Sequence, residues 1–159
     1  MNSRGNRPLT LQVLKKFRLI YGSVRQHFRE VEQTCGISGS QVWILQEVAK
    51  KNGIGVSELA GLLSIHQSTC SQLVEKLVAR GLLVKERSLE DQRRVGLSLT
   101  EVAADLLGKA PGPAEGVLPD ALMGLPKETL LLLDASLAQV IGQLGIHDEK
   151  YANNPLADM

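Results

Sequence analysis

The chain has 159 residues, 43% of them apolar but only 3% aromatic, and a net charge of +1, which suits one packed helical domain with an oligomerisation arm. That balance excludes a strongly basic coat for nucleic acid, and no apolar run approaches the ~18 residues of a membrane span. The start, MNSRGNRPLT, lacks the apolar stretch of a signal peptide, so a cytoplasmic location without membrane contact is expected.

Residues 1–8 read as a disordered basic arm. Residues 1–30 carry seven Lys or Arg against one Glu, whereas residues 100–159 carry three basic against nine acidic residues. Ends of opposite charge can pack together, within a subunit or between two. From Leu9 to Cys35 the apolar residues Val13, Phe17, Ile20, Tyr21, Val24, Phe28, Val31 and Cys35 fall mainly three or four apart, one stripe of a long amphipathic helix. Such a helix is roughly 40 Å long at 1.5 Å per residue. That is more than a small core needs, so part of the stripe is expected to meet another chain. Gly36 stops it.

Ser38 or Ser40 caps a second helix, from about Gly39 to Lys51, with Val42, Trp43, Leu45 and Val48 as its apolar set. Ile54 suits a very short strand. Gly55 then caps a short helix, Val56 to Leu63, and Ser64-Ile65-His66 makes a turn into a helix from Gln67 to about Arg80. In that helix Cys70, Leu73, Val74 and Leu77 point inward. Its outward face carries Gln67, Ser68, Thr69, Ser71, Gln72 and Lys76. A merely solvated helix favours Glu and Lys, which are better helix formers than Ser and Thr. Hydroxyls and amides clustered in its first turns suit hydrogen bonding to a polar surface. Leu82 to Arg87 and Val95 to Leu99 then read as strands around a charged tip, a hairpin.

Thr100 caps a further helix, broken by Pro111 and Pro113. A helical pattern resumes at Val117. Pro126 suits the first position of a last helix, striped by Leu130, Leu133, Leu137, Val140, Ile141 and Leu144, with Gly145 as its stop. Residues 146–159 read as a polar tail. The fold class expected is therefore mostly α with a small β-hairpin: a winged helix-turn-helix over 37–99, with helical arms at 9–36 and 100–145.

The chemistry of that central unit points to double-stranded DNA. A helix fits the major groove, where each base pair shows its own pattern of donors and acceptors, and Gln, Ser and Thr can answer it. Arg87, Arg93 and Arg94 on the wing suit phosphates or an adjacent minor groove. Asp91, two residues before Arg93, suits holding that arginine in a fixed direction.

These residues resemble the MarR family of transcriptional regulators. The matching features are SELA before the turn, S-T-x-S-x-L-V-x-x-L in the recognition helix, G-L-L-V-x-x-R into the wing, D-Q-R at its tip and L-S-L-T into the next helix. The resemblance is densest over 55–104 and extends in order and character to about 9–144. It implies a homodimer built on the first and last helices and a pseudo-palindromic operator; a repressor is the expected kind of regulator. It also implies, in many members, release by a small aromatic or phenolic effector bound between the dimerisation and DNA-binding parts. The sequence departs from the pattern at His66, where a small capping residue is usual, and at Pro111 and Pro113.

Tyr21, His27 and Trp43 are the candidates for the effector pocket, with plain core packing as the alternative. A redox regulator working through Cys35 or Cys70 is a second reading of the switch; both cysteines read equally as small packed residues. A winged helix that binds protein instead of DNA is a third reading, but apolar residues on the reading face would then be expected. No hydrolase, metalloprotease, P-loop or dinucleotide motif is present, and the three histidines lie on unrelated segments, so neither an enzyme nor a metal or cofactor is expected.

Overall fold

The computed structural model describes residues 5–146 and 149–159. In chain order its elements are α1 (Arg7–Cys35), α2 (Gly39–Lys50), α3 (Val56–Leu63), α4 (Gln67–Ala79), β1 (Leu83–Arg87), β2 (Val95–Leu99), α5 (Glu101–Lys109), α6 (Val117–Met123) and α7 (Lys127–Leu144). Two short 3-10 turns, Glu149–Asn153 and Leu156–Asp158, come after α7. The class is the expected one, mostly helical with a single antiparallel hairpin.

The hub is α2. Ser38 caps it reciprocally: its Oγ accepts the Gln41 N–H at 3.3 Å, and Gln41 Oε1 accepts the Ser38 N–H at 3.0 Å. Val42, Leu45 and Val48 are buried, and so is Ile44, which lies off the expected stripe. Helices α1, α3, α4 and α5 all pack on α2, so it is covered on more than one side. Leu59, Ala60 and Leu63 of α3 and Cys70, Leu73, Val74 and Leu77 of α4 complete the core. Each large aliphatic side chain buried there contributes about 1.5–3 kcal/mol.

Two features fix the hairpin against this core. The strands pair from Leu83 with Leu99 to Arg87 with Val95, and Ile54 bridges to Leu97 from the far side. Backbone crowds here: a Cβ on Gly96 would stand 2.6 Å from the Gly53 carbonyl oxygen, which leaves room for glycine alone. Thr100 joins the hairpin to α5. Its hydroxyl donates to Gly81 O at 2.8 Å and accepts the Ala103 N–H at 3.2 Å, capping α5 while holding the end of α4. At that end Arg80 Nη1 donates to Gly36 O at 2.5 Å, tying α4 to the end of α1.

The long stripes divide. The second half of α1 packs inward through Val24, His27, Val31 and Cys35, while Leu9, Val13, Phe17 and Ile20 of its first half remain exposed. On α7 nothing is buried; Leu131, Val140, Ile141 and Leu144 are exposed, and Leu130, Leu133 and Leu137 are half-buried.

Three expectations need correction. Helix α1 begins at Arg7 with Pro8 in its first turn, so residues 5–8 are a turn and a helix start, not a disordered arm; residues 1–4 lie outside the described residues. Pro8 is accommodated because first-turn N–H groups have no partner within the helix. Pro126 is the cap of α7, in extended conformation, and not its first helical residue. Residues 149–159 of the expected polar tail fold into two turns, and the second, Leu156–Asp158, packs on α2. Residues 147 and 148 of that segment lie outside the described residues.

Candidate nucleic-acid interface

The candidate reading helix is α4, and its inward stripe determines what it can present. With Cys70, Leu73, Val74 and Leu77 buried, Gln67, Ser68, Gln72 and Lys76 are left exposed, and Thr69 and Ser71 are half-buried. The helix starts at Gln67 although His66, at the cap position, makes no side-chain capping bond. His66 serves through its backbone: its carbonyl accepts the Cys70 N–H at 2.9 Å. Ser64 closes the preceding turn with φ 54°, a left-handed conformation uncommon for a residue with a side chain.

Two grooves flank α4 and divide some of these residues between them. Gln67 lines a groove together with Arg87 and Arg94 of the wing. Thr69, Gln72 and Lys76 line a second groove, whose other side includes Ser38 and Asp158. Ser68 and Ser71 line neither. Acidic groups temper the wing groove, since Glu58, Glu86 and Glu90 share its lining with the arginines, and Lys51 pairs with Glu58 at 2.5 Å.

The wing tip is ordered by its own polar groups. Ser88 N–H donates to Arg94 O at 2.9 Å, and Ser88 Oγ accepts the N–H groups of Glu90 and Asp91 at 3.2 and 3.3 Å. The expected role of Asp91 is altered. Its Oδ1 accepts the backbone N–H of Arg93 at 3.0 Å, and its Oδ2 lies 3.9 Å from Arg94 Nε. Asp91 thus holds the backbone at Arg93 and pairs loosely with the side chain of Arg94, leaving the Arg93 side chain to project from an ordered turn. A carboxylate that accepts an N–H two residues on makes an Asx-type turn, and this explains the choice of Asp better than an arginine clamp does.

Beside the α3–α4 turn lies a cavity of about 440 Å³. Val24 and Phe28 of α1, Trp43 of α2, Leu63 and Ile65 beside the α3–α4 turn, and Leu122 of α6 form much of its wall. Of the candidate pocket residues only Trp43 lines it, with its Nε1 donating to Glu47 at 3.2 Å. Tyr21 is exposed, and Arg25 lies over its ring at 5.5 Å. His27 is buried beside Phe28 but outside the cavity wall. The sequence signal for the pocket was Phe28, one position along the same α1 stripe; Gly39 and Gly116 give its ring room, since a Cβ on Gly39 would stand 2.6 Å from it.

Neither cysteine has the surroundings of a reactive thiol. Cys35 and Cys70 are both free and buried, and burial raises both above the usual thiol value, Cys70 to about 11. Among the described residues no cluster of three or more His, Cys, Asp or Glu is placed to hold a metal ion, and no helix is long and apolar enough to cross a membrane.

Comparison with known proteins agrees with this geometry. The MarR family model matches residues 36–94, from the end of α1 to the wing tip. A protein of Thauera aromatica, provisionally assigned as a transcriptional regulator for the hcr operon, is 29% identical over 85 residues. The match covers 54% of this chain and 51% of that one, so the chain spans about half the length of this relative. The transcriptional repressor MdtR of Bacillus subtilis (strain 168) is 21% identical over 131 residues, covering 82% of this chain and 84% of the repressor. Among solved structures, the S. aureus MepR–DNA complex is similar in fold, with a TM-score of 0.55 at 20% identity, over 80% of this chain and 93% of that one.

Proposed function

We propose that this chain is a winged-helix transcriptional regulator of the MarR family and acts as a homodimeric, sequence-specific DNA binder. The observation that carries this reading is the groove shared by Gln67, at the start of α4, with Arg87 and Arg94 of the wing. A helix seated in a major groove brings its first turns to the base edges, and a basic wing beside it meets the flanking phosphates or minor groove. Gln67, Ser68, Thr69, Ser71, Gln72 and Lys76 supply amide, hydroxyl and ammonium groups for base edges and phosphate. Arg87, Arg93 and Arg94 supply guanidinium groups for the backbone.

The dimer reading rests on the unburied stripes. Leu9, Val13, Phe17 and Ile20 of α1 and Val140, Ile141 and Leu144 of α7 are large apolar residues exposed in the single chain. Contiguous apolar faces of this kind mark interaction surfaces. Two winged units related by a two-fold axis would read an inverted repeat with half-sites about one helical turn apart. The similarity to the repressor MdtR supports a repressor role, and the same reading places the chain in the cytoplasm.

The switch is best read as a small aromatic or phenolic effector in the 440 Å³ cavity, a size within the range of small-molecule sites. Its wall combines the rings of Phe28 and Trp43 with Leu63, Ser64 and Ile65, the residues that set the start of α4. An occupant there would bear directly on the orientation of the reading helix. The buried thiols, shifted away from ionisation, favour this reading over a cysteine redox switch.

The test is sedimentation of the full chain at micromolar concentration, alone and with duplex DNA. Two chains per particle, and two per bound duplex, are the expected result. A monomer under both conditions would refute the dimer, and a chain that never co-sediments with duplex would refute the DNA reading.

A further inference from the structure

The segment after α7 grips the reading end of the molecule at three places. Ser40, buried in the first turn of α2, donates its hydroxyl to both oxygens of the Asp158 carboxylate, at 3.2 and 3.1 Å. That hydroxyl lies 2.9 Å from the hydroxyl of Ser38, the cap of the same helix. Asn153 O accepts the backbone N–H of His66, the residue just before α4, at 3.1 Å. Ala157 sits against Gly39, where an added Cβ would be 3.4 Å from its own. A carboxylate at a helix N-terminus is favoured by the helix dipole and by charge-assisted hydrogen bonding, so Asp158 is a sound anchor.

The docked segment also borders the groove beside α4. Asn154, Asp158 and Met159 form one side of the groove whose other side includes Thr69, Gln72 and Lys76. The B-DNA major groove is about 12 Å wide, so a helix seated in it has its flanks close to both phosphate rows. A peptide along one flank of α4 takes up that space, and the charge of Asp158 repels a phosphate there. The same segment also lines the 440 Å³ cavity, through Pro155 and Leu156.

We propose that residues 149–159 are a built-in competitor for DNA: docked, they form the far wall of the groove along one flank of the reading helix, and duplex binding requires their release. The inference rests on the DNA-binding reading above. A protein whose binding-competent form is only fractionally populated binds more weakly by that fraction, so removing the competitor tightens binding.

The experiment titrates the full chain, Asp158→Ala and a variant lacking residues 149–159 into a labelled pool of random-sequence duplexes at low salt. Circular dichroism confirms that each variant is folded, and the point variant keeps the test open if the deletion does not fold. Both variants are expected to bind about tenfold tighter than the full chain, a competent fraction near one in ten. Trp43, the chain's single tryptophan, shares the cavity wall with Pro155 and Leu156 and reports release directly. Its emission is expected to move to longer wavelength on deletion, and in the full chain on saturation with duplex. Equal or weaker binding by both variants overturns the competitor while leaving the DNA reading intact. If no form of the chain binds duplex, both fall.

Discussion

The Asp91 carboxylate accepts the backbone N–H of Arg93 at 3.0 Å, and its second oxygen lies 3.9 Å from the guanidinium of Arg94. An acid at the tip of a basic wing is costly near phosphate, so its value lies in the turn that it orders. Asn preserves the acceptor and removes the charge; Ala removes both. Asp91→Asn is therefore expected to bind duplex at least as tightly as the unsubstituted chain, and Asp91→Ala several-fold more weakly. Titration at one fixed salt concentration checks this, and an Asn variant as weak as the Ala variant would show that the charge itself is needed.

Arg93, whose side chain is left to project, is expected to contact phosphate. Each phosphate neutralised adds about 0.9 to the slope of log K against log salt. Arg93→Ala should weaken binding and flatten that slope by about one such increment. An unchanged slope would exclude a phosphate contact at this position.

The α7 stripe is expected to hold two copies together. Ile141→Glu with Leu144→Glu places two charges on a face that is apolar and exposed in the single chain. The variant should sediment as a folded monomer and bind an inverted-repeat duplex at least tenfold more weakly, since the two half-sites then act singly. A variant that remains dimeric would place the interface elsewhere.

The thiols are expected to be inert in the folded protein. Raising the Cys70 thiol to about 11 leaves it protonated near pH 7.5, and reactivity requires the thiolate. Alkylation with iodoacetamide at pH 7.5 should be slow until denaturant is added. Raising the pH toward 11 increases the thiolate fraction, so any native reaction should accelerate in that direction only. Rapid native labelling of Cys70 would reopen the redox reading.

Much of this architecture is legible in the sequence because its signals are local. Gly55 before Val56, the Leu59–Ala60–Leu63 set, Gly81 after α4 and Thr100 before Glu101 each settle an element boundary within a few residues. The alternation Val95, Leu97, Leu99 settles the second strand in the same way. The parts that escaped are set by distant contacts. Ile44 is buried only because several helices meet on α2. The last residues are polar and aperiodic, and the anchor that places them joins Ser40 to Asp158 across 118 positions. Arg87 and Gln67 likewise read as separate signals in the sequence, and folding brings them to one groove.

In the proposed function α4 and the wing read sequence. Selection of duplexes from a random library by the full chain tests it most directly. Enrichment of one inverted repeat with half-sites about one helical turn apart is expected, with a changed base preference within each half-site for Gln67→Ala. A pool that stays random after repeated rounds would contradict it.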